Sequence, residues 1–202
     1  MSIMGLILND FNLSKGSLKL NCFLSIFMLM LYVFMENTIL LFIWVFMMCL
    51  MIPASSFSCM NVMRSSNWDM IIDEFPVKKV KIILSRYVLF IIMSLVSLGI
   101  TIVILKNISA GEIVLGDMTF TINMLMGMYF VDAQLICIFY YPLIYRLKTS
   151  KIDSVIVMAI GASFVVLYLI KDMNPYSIFV LILIGYIVSF LITNFLDKKA
   201  SE

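Results

Sequence analysis

The sequence predicts an all-α, multi-pass membrane protein with six transmembrane helices. An interfacial helix precedes the first span, and a cytoplasmic amphipathic helix lies between the second and third. Three observations carry this reading. Hydrophobic residues make up 63% of the 202 and charged residues 13%, against roughly 45–50% and about 25% in soluble domains. The apolar residues gather into six runs, on the scale of the ~20 residues that cross a bilayer. The longest polar interruption, residues 65–87, is patterned like a folded element.

Residues 1–19 have an apolar core only at 3–8, no basic start and no small-residue cleavage site, so no signal peptide is expected there. Met4, Leu6, Ile7, Leu8, Phe11 and Leu18 are interleaved with Asn9, Asp10, Lys15 and Lys19. That is the pattern of a helix lying in the headgroup plane, and Gly16 is where it would turn upward. The first span is expected at 20–35 and the second at 39–59, joined by Glu36-Asn37-Thr38 as a tight hairpin.

The patterned interruption comes next. Ser66 stands three residues before Asp69, a capping-box-like start in which both side chains meet orphan N–H groups. Trp68, Ile71, Ile72 and Phe75 fall at i, i+3, i+4 and i+7 and share one helical face, with Asn67, Asp73 and Glu74 largely off it. Pro76 biases Phe75 out of the helix and is suited to opening the next one. A basic ramp of Lys78, Lys79, Lys81 and Arg86 leads into the third span.

The remaining spans are expected at 81–105, 120–145, 155–170 and 178–196, with a loop at 106–118 that carries Gly111, Glu112, Gly116 and Asp117. With the N-terminus inside, twelve basic residues are cytoplasmic and two, Lys106 and Lys171, lie outside. That bias places both termini in the cytoplasm. No repeat or soluble domain is visible, so 1–202 reads as one transmembrane domain. Gly185, Ser189 and Thr193 form a small-residue stripe on the sixth span, and Ser94, Ser97 and Thr101 share a face of the third. Such stripes let helices pack closely within a subunit or along a dimer seam.

The fourth span is the most polar. Asn123, Gly127, Gln134, Tyr141 and Tyr145 fall near one face, Asp132 points to another, and Pro142 is placed to kink the cytoplasmic end. A mid-membrane carboxylate costs roughly 2.5–3.5 kcal/mol on insertion scales. Asp132 therefore avoids lipid, either as part of a translocation path with Asn123 and Gln134 or as a hydrogen-bonded tie between helices.

No histidine is present, which removes the commonest general base and metal ligand. Cys22, Cys49, Cys59 and Cys137 sit in apolar runs without CxxC spacing and read as small hydrophobes. Phosphate-loop, dinucleotide-fold, serine-hydrolase and zincin motifs are all missing. No catalytic residue, metal site or cofactor is expected in this chain, and no nucleic acid partner.

Six spans with one folded cytoplasmic loop and no engine resemble the short permease subunits of ABC-2 type ABC transporters. Two places carry the resemblance: Gly5-Leu6-Ile7-Leu8-Asn9-Asp10-Phe11 with Lys15, and Asn67-Trp68-Asp69, Phe75-Pro76-Val77-Lys78-Lys79 and Ile83, Ser85, Arg86, Tyr87. Phe75 stands where leucine is usual, and Lys78 where serine or threonine is usual. The connection at 171–176 is too short for large extracellular re-entrant helices. The resemblance implies that 65–76 is a coupling helix docking on a separate cytosolic ATPase through Ser66, Asn67, Trp68, Asp69, Ile72, Asp73, Glu74, Phe75 and Pro76. It implies a second permease, homo- or heterodimeric, and ATP and Mg on the partner ATPase. The expected function is export of an amphipathic or hydrophobic cargo, an antimicrobial or cytotoxic peptide first, across a bacterial cytoplasmic membrane. The alternatives are an ATPase-independent secondary transporter or channel using Asp132, and a peptide-binding immunity or sensor protein.

Overall fold

The computed structural model describes residues 2–65, 79–108, 112–115, 118–147, 152–170 and 173–201. It is almost entirely helical. In chain order the elements are α1 (Ile3–Met35), α2 (Thr38–Phe46), a π turn (Met47–Met51), α3 (Ile52–Ala54), a 3-10 turn (Ser55–Phe57) and α4 (Ser58–Ser65). Then follow α5 (Lys79–Ile108), β1 (Glu112–Leu115), β2 (Met118–Thr121), α6 (Ile122–Leu147), α7 (Ile152–Ile170) and α8 (Pro175–Ser201). Among the described residues, five helical stretches are long and apolar enough to cross a membrane: α1, Thr38–Met60, α5, α6 and Pro175–Leu196. A sixth apolar stretch, Ser154–Ile170, is shorter. It spans about 25 Å at 1.5 Å per residue.

The N-terminus departs from expectation. α1 is one unbroken helix of 33 residues, with no turn at Gly16 between an interfacial helix and a first span. A single helical glycine costs only about 1 kcal/mol relative to alanine. Just before it, Ser14 Oγ bonds back to the Asp10 carbonyl at 2.9 Å without breaking the helix. The hairpin after α1 does fall where expected. Glu36 takes a left-handed φ of 50° and its N–H closes on the Tyr32 carbonyl at 2.8 Å. Asn37 Oδ1 then accepts from Ile39 N–H at 2.9 Å and caps α2.

The second span is not a continuous α-helix. It passes through the π turn, Pro53 and the 3-10 turn before resuming as α4, which ends at Ser65. The expected coupling helix, with Ser66 through Pro76, lies outside the described residues.

The connection after α5 holds a two-stranded antiparallel hairpin, a correction to the purely helical expectation. Glu112 pairs with Thr121, Ile113 with Phe120, Val114 with Thr119 and Leu115 with Met118; Gly111, Gly116 and Asp117 of the expected loop lie outside the described residues. The fourth span therefore begins at Ile122, two residues later than expected, because Phe120 and Thr121 belong to β2.

Two compact units are interleaved along the chain. One comprises Asp10–Cys59 and Leu89–Ala133. Its core is Leu41, Trp44, Val45, Met48 and Cys49 with Leu105, Ile122 and Leu125. Tyr129 meets Phe42 and Phe46 edge-on at 5.6 and 5.4 Å, and Phe57 stacks on Phe90 at 5.3 Å. The other comprises Met1–Asn9, Met60–Val88 and Gln134–Glu202. Among its apolar side chains it buries Arg86, Tyr87, Tyr140, Tyr141, Ser189 and Thr193.

Candidate functional site

The tyrosine-rich interior is built where the first turns of α5, the second half of α6 and the middle of α8 meet. α5 contributes Ser85-Arg86-Tyr87, with Arg86 ten residues past Pro76, and these are its first buried polar groups. Arg86, counted in the sequence as one cytoplasmic charge among twelve, is only 3% exposed. Its Nη1 donates to the Tyr145 hydroxyl and its guanidinium carbon lies 6.0 Å from that ring's centre. Tyr141 Oη donates to the Arg86 carbonyl at 3.2 Å. Arginine suits this position because a planar, weakly hydrated cation can both stack on a ring and donate in its plane.

Tyr87 is the centre of the cluster. Its ring lies 4.5 Å from Tyr141, 5.9 Å from Tyr186 and 6.1 Å from Phe190. Its hydroxyl is 2.6 Å from Ser189 Oγ and 3.2 Å from Thr193 Oγ1. A proton count orders these bonds. Ser189 Oγ spends its single hydrogen on the Ile138 carbonyl at 2.6 Å, and Thr193 Oγ1 spends its own on the Ser189 carbonyl at 2.8 Å. Tyr87 must therefore be the donor to Ser189, its nearer partner. The relay runs from α5 through α8 to α6.

Its last acceptor has a specific cause. The Ile138 carbonyl would ordinarily take the N–H of residue 142, which is Pro142 and has none. α6 continues through Pro142, and the serine on α8 replaces the missing donor. The small-residue stripe on α8 makes the approach possible. A Cβ added at Gly185 would stand 2.9 Å from Ile138 Cδ1, so at that point α8 packs as closely as glycine allows. The stripe thus packs within the subunit.

Of the expected path residues, Gln134 joins this cluster. Tyr186 Oη donates to its Oε1 at 2.7 Å, while its Nε2 has no partner among the described residues although the side chain is 5% exposed. Asp132 is buried, at 3% exposure. Asn123 is exposed and lies nine residues before Asp132, about 13 Å along the helix, so those two do not line a common spot. Tyr186 and Tyr140 were not singled out from the sequence. The available signal was a mid-span tyrosine, whose hydroxyl needs a partner once buried.

Among the described residues, no group of three or more His, Cys, Asp or Glu could hold a metal ion. What the cluster does chemically is tie helices: it joins the start of α5 to α6 and α8 through directed hydrogen bonds in a buried setting.

A chain that is almost wholly helical, with five membrane-length apolar helices among the described residues, is a multi-pass membrane protein. A family model described as ABC-2 family transporter protein matches residues 5–196, and the chain belongs to that family. No curated protein and no solved structure shows significant similarity to it.

Proposed function

We propose that the chain is the permease subunit of a bacterial ABC exporter, paired with a second permease and driven by a separate cytosolic ATPase. The ATPase docks on residues 66–76, with Trp68 and Phe75 as apolar anchors and Asp73 and Glu74 meeting basic residues on the partner. Ser154–Ile170 completes a set of six spans, with both termini cytoplasmic. The observation that carries the reading is the buried relay from Arg86 and Tyr87 into α6 and α8. A segment pushed by an ATPase needs a stiff connection to the membrane helices, and this one begins ten residues after the segment ends. The cargo is amphipathic, an antimicrobial or cytotoxic peptide first. Gln134 is the polar residue best suited to meet it, since its buried amide N–H groups have no partner among the described residues.

The test is purification from native membranes in mild detergent with mass spectrometry of stoichiometric partners. A Walker-motif ATPase that disappears with Trp68→Ala is the expected result. A stable complex without any ATPase would overturn the proposal. The burial of Asp132 favours a second reading, proton-coupled transport without ATP. It requires uptake or efflux by the chain alone in proteoliposomes under a pH gradient, abolished by Asp132→Asn.

A further inference from the structure

We propose that Ser97 and Asn21 are positioning residues that hold the second span in a π register beside Pro53, and that this turn has a second, α-helical register one residue away. In an α turn each carbonyl takes the N–H four residues on; in a π turn it takes the one five residues on. Here Ile52 N–H goes to the Met47 carbonyl, so the Met48 carbonyl has lost its α partner. Its π partner would be residue 53, a proline without an N–H. Ser97 Oγ on α5, only 1% exposed, donates to that Met48 carbonyl.

The other side of Pro53 is repaired in the same way. Ser55 N–H turns to the Ile52 carbonyl in the 3-10 turn, which removes the α partner of Met51. Asn21 Nδ2 on α1 donates to the Met51 carbonyl at 2.9 Å. Each donor comes from a different helix. In hydrocarbon, where no water can step in, such donors are what make a broken helix tolerable.

The α register changes these needs. Ile52 N–H would return to the Met48 carbonyl, releasing Ser97, while the Cys49 carbonyl, four residues before Pro53, finds no N–H at the α spacing in either register. The two registers therefore differ in whether the Met48 carbonyl needs an outside donor, and the Ser97 hydroxyl favours the one in which it does. Close by, the buried Ser56 Oγ has no partner among the described residues, so the present register leaves a donor unspent next to the break. A one-residue shift rotates everything after the turn by about 100° and moves it by about 1.5 Å along the axis. A π turn beside a proline is thus a place where a span can change phase without unfolding.

The experiment is backbone hydrogen exchange of the full chain in nanodiscs, comparing wild type, Ser97→Ala, Ser97→Thr, Pro53→Ala and Pro53→Ala/Ser97→Ala. It needs neither ATPase nor cargo, so its outcome is independent of the permease proposal. Leaving the Met48 carbonyl buried without a donor should raise exchange across residues 47–58 by roughly tenfold or more, with residues 152–170 unchanged. Ser97→Thr keeps the hydroxyl and should match wild type. Pro53→Ala supplies the missing N–H, so the double variant should exchange like Pro53→Ala alone. Unchanged exchange in Ser97→Ala, or effects that simply add in the double variant, would overturn the assignment. If Ser97→Ala does not fold, the double variant decides: its recovery supports the register account, and its failure refutes it.

Discussion

Replacing Ser189 by alanine tests the proton count at the centre of the helix tie. The substitution leaves the Ile138 carbonyl buried with neither a Pro142 N–H nor a serine donor. An unsatisfied buried acceptor costs about 1–3 kcal/mol. Tyr87 also loses its nearer acceptor, but Thr193 Oγ1 stands 3.2 Å from the same hydroxyl and takes over. Tyr87→Phe is the control. It deletes the donor while leaving the Ser189–Ile138 bond intact, so it should cost what a typical membrane interhelical hydrogen bond is worth, about 0.6 kcal/mol. The expected order is Ser189→Ala the more damaging by about 1 kcal/mol. Pro142→Ala should rescue Ser189→Ala, because it gives the Ile138 carbonyl its helical N–H, and should not rescue Tyr87→Phe. The assay is equilibrium unfolding of the purified chain in detergent, read by a thiol-reactive dye at the buried Cys49, Cys59 and Cys137. Equal losses for the two variants, or a Pro142→Ala effect that is the same in both backgrounds, would refute the reasoning.

The close approach at Gly185 predicts that Gly185→Leu lowers stability by about 1–3 kcal/mol through overpacking, while Gly185→Ala is near neutral. In the alanine variant, the clash with the flexible end of Ile138 offsets the gain in helix propensity. Adding Ile138→Val should recover part of the leucine variant's loss, measured by the same unfolding assay. At the hairpin, Glu36→Gly should stabilise by about 1 kcal/mol because Glu36 holds a left-handed φ. Asn37→Ala should cost about 1 kcal/mol by removing the cap on α2. Arg86→Lys should weaken the α5–α6 tie nearly as much as Arg86→Ala, since an ammonium reproduces neither the in-plane donor nor the ring contact with Tyr145. Comparable unfolding midpoints for Arg86→Lys and wild type would contradict this.

The helix layout was legible because hydropathy and caps are local. α2 starts at Thr38, one residue before the expected 39, and α8 at Pro175, three residues before the expected 178, with Asn174 Oδ1 accepting from Tyr176 N–H at 3.1 Å. The hairpin at 112–121, where a loop at 106–118 is expected, was legible too. Gly116-Asp117 between two short runs that hold Ile113, Val114, Thr119 and Thr121 is a two-residue hairpin signal, set against an all-helical context. Gly16 misled in the opposite direction, since a glycine permits a turn without requiring one. The tie among Tyr87, Ser189 and Ile138 was not legible, because it joins residues 102 and 51 positions apart and no periodicity reports which faces of three helices will meet. Pro142 was placed as a kink in the fourth span, whereas Pro53 was not singled out, and which carbonyl each one orphans depends on the local register.

The two prolines inside membrane-spanning stretches follow one rule, and it bears on which helices can separate. In water an orphaned carbonyl is hydrated at little cost, but in hydrocarbon it needs a donor supplied by the protein. Pro142 obliges α6 to keep Ser189 of α8 at its Ile138 carbonyl. Pro53 obliges the second span to keep Ser97 of α5 at its Met48 carbonyl. Each proline thus converts a helix pair into a bonded pair, and breaking the pair means either moving the orphan or exposing it. At Pro142, Ile138 is the regular α-helical orphan, fixed in place, so α6 and α8 are expected to move as one body. At Pro53 the π turn has taken the Ile52 N–H away from the Met48 carbonyl, and returning it is the step open to a transporter. Disulfide locking separates the two cases. Cysteines introduced across α6 and α8 beside Ser189 should leave activity intact, whereas cysteines pinning the second span to α5 beside Ser97 should abolish it. The reverse pattern would show that the prolines do not divide the helices in this way.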